Sequence, residues 1–431
     1  MICVISVKIF VLSLSYIRQM IHFEKFVLDN GLRVIVHKDT STPMAVMNIL
    51  YDVGARDEHP AQTGFAHLFE HLMFGGSLNI PVYDEPLQMA GGENNAYTTN
   101  DLTNYYIHIP KENLETAFWL ESDRMLSLAF DEKSLEVQRK VVCEEFKEHY
   151  IDKPYGDVWF KLRELVYQQH PYRWMTIGKE LSHIENAQLQ DVKNFFFKYY
   201  RPNNAIMVVA GNVETEEVKR LAEKWFGNIP PGETINRHLP QEAAQTAPRK
   251  LSVTADVPLD AFYKCWHIGG RHSTDYHACD LITDILGGGE SSRLHQKLVK
   301  ELQLFVSITC YHLGTIDPGI ICIDGKLVKG VKIEDAEREV EKILTYLKEE
   351  PILNIELEKV KNKTESMLAF EDMSVLNRAN SLAYYELLGD AHMMNTELGK
   401  YEAVTVADIK ETARRVFREE NSSTLYYYAK G

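Results

Sequence analysis

The sequence predicts an α+β protein of two homologous halves, each a mixed, mostly antiparallel sheet with helices packed on one face. Three observations carry this. Strand-like runs at the start give way to a series of amphipathic helical patterns and then return to strand. A Pro-rich shift in composition divides the chain near its middle. Short motifs before that shift recur after it in the same order, as two related units of roughly 200 residues would require.

Phe23 to Leu28 and Leu32 to His37 read as strands around the turn Asp29-Asn30-Gly31, and Ala45 to Val53 as a third strand. Helical patterns follow at about 63–75, 111–130, 132–150, 156–167 and 188–199. Ala205 to Ala210 (AIMVVA) returns to strand. Pro230-Pro231-Gly232, Pro240 and an Ala/Gln/Thr-rich stretch ending in Pro248 mark the boundary. The expected organisation is an N-terminal extension (1–19), a metal-binding domain (20–228), a linker (229–249) and a degenerate second domain (250–431), with the halves facing each other across a hinge at the linker. Val53-Gly54-Ala55-Arg56 is echoed by Ile268-Gly269-Gly270-Arg271, and Phe74-Gly75-Gly76 by Leu286-Gly287-Gly288. Arg201-Pro202-Asn203-Asn204 before AIMVVA resembles Arg418-Glu419-Glu420-Asn421 before Thr424 to Ala429.

Composition narrows the function classes. The chain has 431 residues, 45% hydrophobic and 25% charged, the balance of a folded globular protein. Its 62 acidic against 47 basic residues argue against a nucleic-acid partner, which calls for clustered Lys and Arg. Six scattered cysteines without a Cys-x-x-Cys pair fit a reducing compartment, so a cytoplasmic location is expected. Ile9 to Tyr16 faintly resembles a signal segment, which leaves export as the alternative, and it is too short to span a bilayer. Gly287-Gly288-Gly289 lacks the following Lys of a phosphate loop, which argues against nucleotide binding on that motif.

The chemistry-bearing motif is His67-Leu68-Phe69-Glu70-His71, an H-x-x-E-H pattern. Two imidazoles four positions apart project from one helix face and can share a Zn²⁺, while a carboxylate beside them can take a proton from water. Chance supplies at most about 0.08 such matches in a chain of this composition. Helical phase adds weight. At about 100° per residue, Leu68, Phe69, Leu72 and Met73 form one apolar stripe, and His67, Glu70 and His71 lie opposite. A catalytic zinc usually has three protein ligands, and the candidates for the third cluster at Glu144, Glu145, Glu148 and His149. Spacing alone does not choose among them. His277 and His312 read as ordinary core or surface residues, and Asn94 to Thr98, polar and turn-rich, reads as a loop leading into the strand Thr103 to Ile109.

Together, His67 to His71, the Glu144-Glu145 pair just over 70 residues later, Gly54-Ala55-Arg56, Asn95-Ala96-Tyr97-Thr98, Glu136 to Glu145 and Gly287 to Leu294 resemble the inverted-motif zinc peptidases of the pitrilysin/insulinase family. The similarity is to its short two-domain type, which includes the mitochondrial processing peptidases, and runs from about Phe23 to the C-terminus. The resemblance implies a processing-peptidase-like fold, with Glu145 as third ligand and Glu70 as the catalytic base. It places Asn95 and Ala96 on an edge strand that pairs with extended peptide. It also implies that Gln138 supports the metal ligands from behind, where the family often has glutamate. In the second half Cys279, Ile282 and Thr283 stand where the metal motif would be, so one Zn²⁺ per chain is expected. Active members hold substrate with an arginine and a tyrosine from a second-half domain, and those slots fall on Val299 and Val306.

The expected function is therefore a zinc endopeptidase for small or unfolded peptides, working in a dimeric chamber with a second related subunit or as a homodimer. Two competitors follow from the same residues. A non-catalytic assembly subunit of the same fold fits Gln138 and the valine slots. A metal hydrolase of small non-peptide substrates shares the zinc but would need a closed pocket.

Overall fold

The computed structural model describes residues 20–129 and 131–430, so the expectation for 1–19 lies outside the described residues. The opening hairpin forms as its turn residues dictate. Strands β1 (Glu24–Val27) and β2 (Arg33–Lys38) pair antiparallel, with Val27 opposite Arg33, and Gly31 takes the positive φ of +87° at the turn. The sheet continues with β3 (Met44–Tyr51), β4 (Glu93–Thr98), β5 (Thr103–Pro110) and β6 (Ala205–Gly211), in the spatial order β1-β2-β6-β3-β5-β4. The pair β2–β6 is parallel and the rest are antiparallel. The helices of this half are α1 (Phe65–Leu72), α2 (Asp84–Met89), α3 (Leu114–Ser127), α4 (Glu132–Phe146), α5 (Val158–Val166), α6 (Leu181–Glu185), α7 (Leu189–Tyr199) and α8 (Thr215–Phe226).

The second half repeats the plan with β7 (Arg249–Ala255), β8 (Ala261–His267), β9 (Phe305–Leu313), β10 (Ile320–Leu327) and β11 (Ser422–Ala429), ordered β7-β11-β8-β10-β9. Its helices are α9 (Tyr276–Gly287), α10 (Ile333–Glu349), α11 (Asn354–Glu371), α12 (Val375–Leu387), α13 (Met393–Ala403) and α14 (Val406–Val416). The repeat extends to side chains. Asn204 Nδ2 donates to Asp52 O and Tyr199 O at 3.1 and 2.9 Å, and Asn421 Nδ2 donates to His267 O and Val416 O at 3.0 and 2.9 Å. In each half, then, one asparagine fixes the entry to the returning central strand.

Each half packs most of its own helices on one sheet face, as expected, but the other face is not bare. Ala379, Leu382 and Ala383 of α12 close over Ile35, Val46, Ile206 and Val208 of the first sheet. Val158, Leu162 and Val166 of α5 close over Ala261, Tyr263, Cys322 and Leu425 of the second. The two halves thus exchange covering helices. This explains why AIMVVA is continuously apolar: β6 is buried along its whole length because both faces of the sheet are covered.

Residues 228–248 form neither helix nor strand, and side chains strap them down. Arg237 pairs with Asp52 and Asp57 at 2.7 and 2.6 Å, Glu242 accepts the backbone N–H groups of Gln168, Gln169 and His170, and Gln245 donates to Ser422 O at 2.6 Å. The segment read as a hinge is therefore anchored to both halves. Buried Arg56 adds a direct tie, pairing with Asp101 and with Asp317 of the second half at 3.0 and 3.1 Å. Among the described residues no helix is long and apolar enough to cross a membrane.

Candidate metal centre

Helix α1 begins at Gly64, whose φ of +89° and close approach to Ile184 and to Ile177 O exclude a side chain there. The first turn is capped instead by Glu58, whose two carboxylate oxygens accept the N–H groups of Gly64 and Ala66, both at 2.9 Å. The apolar stripe docks as its phase predicts. Leu68, Phe69, Leu72 and Met73 are buried, and Phe69 stacks on Phe195 and Tyr200. The opposite side leaves His67, Glu70 and His71 half-buried. Helix α4 starts with Asp131 accepting from Ser134 N, buries Leu135, Val142 and Phe146, and brings Glu145 to α1 from its last turn.

His67 Nε2 and His71 Nε2 lie 3.3 Å apart, and Glu145 Oε2 lies 3.7 and 3.4 Å from them respectively. Tetrahedral zinc with bonds of ~2.0–2.2 Å separates its ligand atoms by ~3.3–3.6 Å, so the three donors fit one ion in both spacing and type. Among the described residues this is the one group of three metal-capable side chains that converges. The protonation states suit a cation. Burial and the neighbouring His71 push His67 down to about 4, so its ring is neutral at ordinary pH. A hydrogen bond from His71 leads the effects that hold the Glu145 carboxyl below its usual range. A neutral imidazole at His67 and an ionised carboxylate at Glu145 suit metal binding.

Glu70 stands one turn along from His67, its carboxyl raised by burial, while Thr98 Oγ1 donates to Glu70 Oε2 at 2.6 Å and opposes that shift. Thr98 ends β4, which pairs with β5 alone and leaves an open edge. The loop reading of Asn94 to Thr98 is thereby corrected: the polar run alternates exposed and half-buried residues, as an edge strand does, and lacks the apolar signature of an interior one. Asn95 and Ala96 lie in this strand, and Ala96 N–H donates to Asn95 Oδ1 at 2.8 Å.

The other candidates separate. Glu144 is exposed and pairs with Lys147, and Glu148 and His149 are exposed. Gln138 is half-buried two turns before Glu145, and among the described residues no hydrogen bond joins it to either histidine. Cys279, Ile282 and Thr283 are buried within α9. His277 pairs with Glu397 and His312 with Asp280, roles that need no metal. Val299 packs against the second core, and Val306 is exposed on edge strand β9. Sequence reasoning gave no role to Thr98 or Glu58. Thr98 was recoverable, because period-2 alternation puts it on the same face as Ala96, whereas nothing local marks Glu58.

The chain is similar to known proteins over most of its length. Residues 33–173 match the family described as Insulinase (Peptidase family M16), and residues 186–364 match the description Peptidase M16 inactive domain. The zinc protease PqqE of Helicobacter pylori is 29% identical over 417 residues, covering 94% of this chain and 92% of that protein. The mitochondrial-processing peptidase subunit beta of Saccharomyces cerevisiae is 30% identical over 210 residues, 48% of this chain and 45% of that one. The crystal structure of a protease from Helicobacter pylori superposes with a TM-score of 0.88 at 28% identity, covering 94% of this chain and 99% of that chain. Pitrilysin shares the fold at a TM-score of 0.75 and 19% identity, with 95% of this chain and 45% of that chain covered. With both halves matched and the fold shared end to end, the chain belongs to the insulinase family of peptidases, M16.

Proposed function

We propose that this chain is a zinc-dependent endopeptidase that hydrolyses small or unfolded peptides, with one Zn²⁺ per chain held by His67, His71 and Glu145. The observation that carries the reading is the approach of these three donors to within one ion's coordination distances, with Glu70 beside them. Bound there, zinc supplies a Lewis acid for the scissile carbonyl and makes water more acidic. Glu70 takes a proton from the attacking water and hands it to the leaving amine. Thr98 holds the Glu70 carboxylate toward the site. The open edge of β4 at Asn95 and Ala96 offers backbone hydrogen bonds to an extended peptide, which gives affinity with little demand on sequence. Gln138, two turns before Glu145 on the same helix, leaves that flank of the proposed site uncharged.

Replacing Glu70 by Gln tests the assignment. Metal content should stay near one zinc per chain while hydrolysis of a fluorogenic peptide disappears; full activity in E70Q refutes Glu70 as the base.

Val299 and Val306, at the slots where the resemblance calls for arginine and tyrosine, favour two further points. The chain works with a second related subunit, or as a homodimer with different substrate contacts. The competing reading of a non-catalytic assembly subunit rests on the same two valines and on Gln138. Peptide assays with and without the co-purifying partner decide between them. The cytoplasm is the compartment most consistent with cysteines that are free and buried at 143, 265, 279, 310 and 322, with export as the alternative.

A further inference from the structure

We propose that Glu58 is a positioning residue for the metal helix: its carboxyl group replaces the N-cap side chain that Gly64 cannot carry and so sets the first turn from which His67 projects. Three observations support this, and the inference rests on the metal reading of His67. A side chain at position 64 is barred twice, by the φ of +89° and by Ile184 Cδ1 and Ile177 O lying 2.6 and 2.7 Å from where a Cβ would sit. The orphan amides of the turn must then find acceptors elsewhere, and both oxygens of buried Glu58 meet them at 2.9 Å, on the two residues flanking Phe65. Ala66 immediately precedes His67, so a displacement of this turn moves the first metal donor directly.

The second half supplies an internal comparison. Counting from the repeated Gly-x-Arg motifs, the position of Glu58 is taken by Ser273, whose hydroxyl turns back to Gly270 O at 2.8 Å. The half without the metal motif has no carboxyl group at that position, and its helix N-cap, Asp275, makes no side-chain cap hydrogen bond.

The test is Zn²⁺ affinity of the full chain, measured by competition with a chromophoric chelator, together with the visible absorption of the Co²⁺-loaded protein. Three variants are compared with wild type. E58Q turns an acceptor into an amide donor facing a backbone N–H. E58D keeps the carboxyl group but shortens the reach. V218A removes buried methyl groups from α8, away from the site, and controls for general destabilisation. E58Q should bind Zn²⁺ ~10–100-fold more weakly and shift the Co²⁺ spectrum, E58D should fall between, and V218A should match wild type in both readouts. Wild-type affinity in E58Q, or equal weakening in V218A, overturns the inference while leaving the metal site standing. Should E58Q not fold, E58D with an unchanged affinity and spectrum overturns it equally. Failure of the wild-type chain to bind Zn²⁺ removes the functional reading itself, and this inference with it.

Discussion

Replacing Thr98 by Val removes a single hydroxyl that bridges the edge strand and the proposed base. The hydroxyl donates to Glu70 Oε2 at 2.6 Å, the short end of the range for a neutral donor on a carboxylate. Val is isosteric with Thr and favours strand, so β4 should keep its pairing with β5. A hydrogen bond to a charged group contributes about 1.5–3 kcal/mol. If that energy is expressed in the placement of Glu70 during proton transfer, kcat should fall about 10–100-fold while KM stays close to wild type. The assay is steady-state cleavage of a fluorogenic peptide, with zinc content measured on the same samples. T98S, which retains the hydroxyl, should recover most of the lost rate. Equal losses in T98V and T98S would mean that packing of the methyl group matters and the hydrogen bond does not. Wild-type kcat in T98V would refute the reasoning outright.

Three other outcomes follow. L382A, a change in the second half, should open the first half: about 2–5 kcal/mol of lost packing against the first sheet should speed hydrogen exchange of β3 and β6 at least ~30-fold, and loss of protection confined to residues after 248 would contradict the helix exchange. Burial pushes the Glu58 carboxyl up to about 8, so the folded chain holds a proton that the unfolded chain releases near 4.5. The metal-free protein should therefore lose stability as pH rises from about 4.5 to 8; urea midpoints should decline less over this interval in E58Q, and parallel declines would refute the assignment. Q138E introduces a charge two turns before Glu145 and should raise kcat/KM by up to about tenfold, whereas a fall would show that the uncharged side chain suits this site.

Much of this architecture is legible from local pattern. The hairpin around Asn30-Gly31, the apolar run of β6 and the phase of His67, Glu70 and His71 against Leu68 and Phe69 all depend on residues within a few positions of one another. What lies beyond reach is set by distant partners. Glu144 and Glu145 are indistinguishable by spacing, yet successive residues of a helix point about 100° apart, and only the packing of α4 against α1 decides which one meets the histidines. The β4 strand looks like a loop because an edge strand needs no apolar run. Helix α12 carries an ordinary apolar stripe of Leu376, Ala379, Leu382 and Ala383, and no local signal tells whether it covers the sheet of its own half or that of the other.

The crossed placement of α5 and α12 makes the two halves mutual chaperones. Expressed separately, each would show water a broad apolar sheet surface, with Val46, Ile206 and Val208 laid open in one and Tyr263, Cys322 and Leu425 in the other. A chain nicked within 232–236 should instead stay together as a reconstituted pair of fragments, since the covalent joint contributes far less than the two buried surfaces it happens to span.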